Sequence, residues 1–412
     1  MISRSSPVLS EFAIRGNSVS AIGVTLILLF INPLWALIAF ALVGVQVRKK
    51  WTELVIALSL TMFMCNREFG GSEDDMPMYV YLFEAAKNHN LTYLFNNWTF
   101  EPGYILFSKV LATIADGRKG FVFILYFLVN GFLVHAAAKL NRKSCCLVLA
   151  LYFLSTGAVY FDHIRAMRQT LALVLILNGA AELFTTDKLS AKGAAYLILA
   201  PLLHVSAVPA AAGLLASRLL WPKSSWIRYM GIFVVSIGAY LLASYVLVVF
   251  YGLSSRVEIY KQNTGEELSI AQLVGGMLMA TWLIVRSVPS KAVSGSGPVM
   301  YCTGLIVVAL VALSLTGDLP GRVLSRELIF SLGLILVVGF STVASSRLFR
   351  LAKLPLIAFA VLRLTAIYIS PPEGMRIVMA HGAMNPLSGV FVNTLSYISD
   401  VKIPAYFATG GL

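Results

Sequence analysis

Residues Lys119-Gly120-Phe121-Val122-Phe123-Ile124-Leu125-Tyr126-Phe127-Leu128-Val129-Asn130-Gly131-Phe132-Leu133-Val134-His135-Ala136-Ala137-Ala138 decide the class of fold, because 120–138 contain no Asp, Glu, Lys or Arg. A helix of about 20 apolar residues matches a hydrocarbon core of about 30 Å. Similar runs recur along the chain, near 20–47, 51–66, 145–161, 169–185, 229–251, 270–286, 298–316, 328–345 and 354–370. The bulk composition agrees: 412 residues are 58% hydrophobic and 12% charged, with a mean hydropathy of +0.82. That balance excludes an ordinary soluble domain. The expected fold is therefore all-α and polytopic, one integral membrane domain over 1–412 with about 10–12 transmembrane or broken helices. The first apolar run is too long for a cleaved signal and is expected to remain as an anchor.

The formal charge of +13, from 32 Lys+Arg against 19 Asp+Glu, would suggest a nucleic-acid partner in a soluble protein. Here the basic residues sit in short clusters between apolar runs, so membrane orientation explains them and no nucleic acid is expected. Arg48-Lys49-Lys50, Lys139/Arg142/Lys143, Lys188/Lys192, Arg286/Lys291 and Arg347/Arg350/Lys353 should all face the cytoplasm. They do so together only if 102–116 does not cross and 192–220 turns back, with Pro201 and Pro209 available to break the latter. That solution puts 67–118, 162–168, 252–268, 317–327 and 371–385 on the outer side. The four cysteines, Cys65, Cys145, Cys146 and Cys302, form no CxxC pair, and neither a disulfide framework nor zinc is indicated. No Walker loop, GxSxG elbow or HExxH helix occurs either.

Polar residues near apolar spans are costly and usually functional. One group runs from Arg67 through Glu73-Asp74-Asp75 to Tyr79 and continues at Glu101-Pro102-Gly103-Tyr104. Its carboxylates can supply a general base, or belong to a solvated outer loop. A second, Asp162-His163-Ile164-Arg165-Ala166-Met167-Arg168-Gln169, opens an apolar helix. Arg165 and Arg168, three apart, share a helical face beside free N–H groups, which suits a diphosphate as well as it suits lipid headgroups. The third is His204, lone among apolar residues in a segment that breaks at membrane depth, where a break must face protein or a watery cavity. Arg256 with Tyr260, and Arg322 with Arg326, add outer-loop groups that would attract a polyanionic headgroup. No metal site is expected, since no second ligand flanks His204 at helical spacing.

Taken in order, Arg67…Asp75-x3-Tyr79, Glu101-Pro102-Gly103-Tyr104, Ile164-Arg165…Arg168-Gln169-x2-Ala172 and His204-Val205-Ser206-Ala207 resemble the EpsG-like branch of the Wzy polysaccharide polymerases. The resemblance covers about 50–215 and thins to scattered arginines and Arg256-x3-Tyr260 beyond. It implies an enzyme of the bacterial inner membrane with its site facing the periplasm and an architecture like that of lipid-linked-donor glycosyltransferases. Such an enzyme joins polyprenyl-diphosphate-linked oligosaccharides, without cofactor or metal, alongside a flippase and a chain-length regulator of the same pathway. Arg168 and Arg165 would take the diphosphate, with Arg256, Arg322 and Arg326 in support, and Asp75, Glu101 or His204 would be the base. Arg67, Tyr79, Tyr104, Gln169 and Tyr260 would line the substrate site. The acidic motif here is doubled, and the interval to Tyr79 favours Asp75 over Asp74. The alternatives are a flippase or transporter of lipid-linked sugars, against which the lack of paired repeat halves counts, and another membrane transferase acting on surface glycans.

Overall fold

A computed structural model describes residues 32–43, 46–47, 49–65, 75–98, 100–154, 163, 166–185 and 189–219, with isolated positions between 230 and 362. The described segments are helical: α1 Pro33–Val43, α2 Lys50–Cys65, α3 Met76–Asn88, α4 Leu91–Asn97, α5 Pro102–Ile114, α6 Gly117–Leu140, α7 Cys145–Leu154, α8 Met167–Thr185, α9 Ala191–Leu203 and α10 Ala207–Leu219. The span readings near 229–251, 270–286, 298–316, 328–345 and 354–370 fall wholly or mostly outside the described residues.

Local chemistry sets the helix starts. Asn32 accepts from the N–H groups of Leu34 and Trp35, Asn90 from Tyr93 at 2.9 Å, and Ser190 from Gly193 at 3.0 Å. Each oxygen satisfies a donor that the first turn leaves open. Pro77 and Pro102 occupy first-turn positions of α3 and α5, where a missing N–H costs nothing.

α6, 24 residues long, is the helix among the described residues that is long and apolar enough to cross a membrane, and shorter apolar helices surround it. It packs against α2 and α8, and α8 against α9. Side-chain bonds fix the directions. Glu53 meets His135 at 2.9 Å while Asn130 donates to Thr61 at 3.3 Å, so α2 and α6 are antiparallel. Asn178 donates to Phe132 C=O at 2.8 Å and Lys139 reaches the buried Glu182 at 2.5 Å, so α8 runs parallel to α6. Lys192, at the start of α9, lies 3.9 Å from Glu182 near the end of α8, so α8 and α9 are antiparallel. Val47 N–H donates to Arg142 C=O at 3.0 Å. The basic clusters at 49–50, 139–143 and 192 thus gather at one end of the bundle. The opposite end receives the start of α8 and the end of α9.

The charge rule asked that 102–116 not cross and that 192–220 turn back. α5 has 13 residues, about 20 Å, too short for the core; it hands over to α6 at the end away from the basic clusters. The segment 192–220 turns back at 204–206, between α9 and α10. The break does not fall at a proline: Pro201 lies inside α9 and Pro209 inside α10. It falls where His204 folds the chain.

Candidate functional site

Arg168 is the second residue of α8 and is 8% exposed. Its Nη1 donates to Glu101 Oε2 at 2.5 Å, and its guanidinium lies over the Phe100 ring, 4.5 Å from the centroid. Both features suit a planar cation enclosed by apolar atoms. Its Nε is buried with no hydrogen-bond partner among the described residues. An orphaned charged donor in a closed site is a costly feature that folding alone does not select.

Glu101 precedes Pro102 at the start of α5 but makes no side-chain cap bond. Its second oxygen accepts from Val205 N–H at 3.2 Å. One carboxylate therefore joins α5, α8 and the turn after α9. Burial pushes its pKa up, but Arg168 first, then His204 and the Val205 N–H, more than offset that, and the net shift is below the ordinary carboxylate range. Asp75 repeats the pattern: it starts α3 without capping it and accepts instead from Tyr79 OH at 3.3 Å. Both acids forgo the local role that their positions offer.

Aromatic rings close the site. Tyr79 and Tyr104 are 5.4 Å apart, Phe100 and Tyr104 5.8 Å with edge-to-face geometry. Gly103 makes this possible, because a Cβ there would lie 2.5 Å from Leu202 C=O and 2.6 Å from Leu202 Cβ. Only glycine lets α5 come that close to the last turn of α9. His204 then folds the turn, its Nδ1 accepting from Ser206 N–H at 3.2 Å and its C=O from Ala207 N–H at 3.1 Å.

Of the residues singled out by sequence, Asp75, Tyr79, Glu101, Tyr104, Arg168 and His204 come together at the end of the bundle remote from the basic clusters. Gln169 is buried beside Arg168 on α8. Arg67, Asp74, Arg165, Arg256, Tyr260, Arg322 and Arg326 lie outside the described residues. Reading by motif missed Phe100, the Val205 N–H and the role of Gly103. The last had a signal, a glycine between a proline and a tyrosine at a helix start.

It also passed over His163, which lies inside the quoted arginine motif. His163 is 1% exposed; its Nε2 meets Asn130 Oδ1 at 3.0 Å and its Nδ1 meets Tyr152 OH at 3.1 Å. An amide oxygen only accepts, so Nε2 carries the proton and the enclosed neutral ring accepts at Nδ1. Asn130 donates onward to Thr61, whose hydroxyl donates to Ala57 C=O at 2.8 Å. α7, the approach to α8, α6 and α2 are thereby tied by one directional line.

A bundle of apolar helices around a buried arginine–carboxylate pair points to a membrane-associated helical protein. The chain matches the EpsG family over residues 50–377 and belongs to that family, a membrane protein family whose membership is consistent with exopolysaccharide biosynthesis. The match extends well past 215, where the motif resemblance thins. No curated protein and no solved structure matches the chain.

Proposed function

We propose that the protein is a Wzy-type polysaccharide polymerase of the bacterial inner membrane, with a lipid-linked-donor glycosyltransferase architecture and its site on the periplasmic side. It would transfer a growing glycan from its polyprenyl diphosphate to the non-reducing end of a second lipid-linked unit, beside a flippase and a chain-length regulator. The observation that carries this reading is the enclosed Arg168 guanidinium, whose Nε has no partner among the described residues, at the end away from the basic clusters. In the step, the acceptor hydroxyl attacks the anomeric carbon and the bond to the diphosphate breaks. The electron pair leaves on the diphosphate oxygen, and the hydroxyl proton passes to a base.

Neutralising that developing charge is the main task, and preorganised donors perform it well in a site closed to water. Arg168 is assigned to it, with Arg165, Arg256, Arg322 and Arg326 as further candidates. Asp75, half-buried and held by Tyr79, is assigned as the base. Glu101 is the poorer choice because Arg168 keeps its carboxylate weakly basic. His204, whose Nδ1 is spent on the turn, is assigned to positioning.

Gene deletion followed by glycan electrophoresis tests the function. A single repeat unit on the surface anchor is expected; complete loss of surface glycan would instead favour the flippase reading. Asp75→Asn should shorten the ladder more than Asp74→Asn does, and the reverse order would move the base by one residue.

A further inference from the structure

Arg168 is already partly neutralised by a residue of its own chain. Glu101 Oε2 holds Nη1 at 2.5 Å, while Nε, on the other side of the guanidinium, is buried without a partner among the described residues. Glu101 is itself restrained, since its other oxygen accepts from Val205 N–H and its side chain is only 11% exposed. It therefore cannot move into bulk water when a second anion arrives at the Nε edge.

Resting on the lipid-diphosphate reading, we propose that Glu101 is the resident counter-ion of Arg168, a positioning residue that orients the guanidinium and weakens its hold on diphosphate so that the product leaves. Two unit charges about 6 Å apart at an effective dielectric near 20 interact by a few kcal/mol, enough to change affinity by at least about tenfold. An arginine with no counter-ion in this enclosure would bind the lipid diphosphate tightly and release it slowly. The carboxylate lowers that affinity while fixing Nη1, leaving Nε for the ligand. This role differs from general base catalysis, which leaves ground-state affinity unchanged, and from simple packing, which supplies no charge dependence.

The test uses the full chain in lipid nanodiscs, with a sugar-free polyprenyl diphosphate as the binding probe and a lipid-linked polymerisation assay for turnover. Glu101→Gln keeps an acceptor for Val205 N–H and removes the charge. It is expected to bind the probe about tenfold more tightly and to turn over more slowly. Glu101→Asp keeps the charge and should bind within about threefold of wild type. If Glu101→Gln is not recovered folded, Glu101→Met removes the same charge, and ligand-induced thermal stabilisation gives the affinity order. Unchanged or weaker probe binding in the neutral variants, with binding still lost in Arg168→Ala, overturns the counter-ion assignment alone. Wild-type protein that ignores the probe, or binding untouched by Arg168→Ala, removes the lipid-diphosphate reading and this inference with it.

Discussion

Arg168 combines charge, planarity and enclosure, and each can be removed separately. Arg168→Lys keeps the charge but loses the fork and the stacking on Phe100; Arg168→Ala loses all three and leaves Glu101 buried without its cation. Both are expected to lower polymerisation by about 10²-fold or more, read as loss of the glycan ladder. Arg168→Ala should also destabilise the fold by ~3–5 kcal/mol, as removing one partner of a buried pair does; ladders of normal length from either variant would contradict the assignment. Glu101 allows a pH prediction with a definite sign. Its folded pKa lies below its ordinary value, so its stabilising contribution is present above about pH 4.3 and is lost as pH falls through the depressed value. Between pH 5 and 8 it stays ionised. The rate profiles of wild type and Glu101→Gln should therefore share their inflections in that range, and an acid limb that vanishes in the variant would make Glu101 the base after all.

At the scale of elements, the site depends on how closely α5 approaches α9. A methyl group at Gly103 must displace backbone at Leu202, whereas one at Gly179 meets the side chain of Leu197, at 2.5 Å from its Cδ2. Gly103→Ala is expected to cost ~1–3 kcal/mol and, by moving Glu101 two residues away, to weaken polymerisation; Gly179→Ala should cost less stability and spare activity. Thermal unfolding of the two variants with the polymerisation assay separates them, and equal effects would refute the positional argument. These elements were partly legible in the sequence. Uninterrupted apolar runs announce α6 and α8, because a long helix needs little more than composition. The turn at 204–206 was expected only as a break between prolines; its cause, a histidine ring accepting from Ser206, is a contact that spacing cannot express. The meeting of Glu101, Arg168 and Val205 was likewise hidden, since it joins residues about 67 and 104 positions apart.

For the whole molecule, the separation of a basic end from a site end predicts sidedness. Asn97 is exposed near the site end and Lys143 is exposed in the basic cluster. With the native cysteines replaced, an impermeant thiol reagent applied to spheroplasts should label Asn97→Cys at once and Lys143→Cys only after lysis. The opposite order would place Arg168 on the cytoplasmic side. Between the two ends runs the line from Tyr152 through His163 and Asn130 to Thr61 and Ala57. Proton conduction requires every member to pass a proton on and then be reset. The Asn130 amide does not do so, and the Thr61 hydroxyl ends on a carbonyl that takes no proton. The line therefore conducts no proton, so this polar contact inside the bundle does not amount to a leak. On the polymerase reading, a proton taken from the acceptor sugar finds no path along this line and stays at the Arg168 end, where Asp75 and His204 stand.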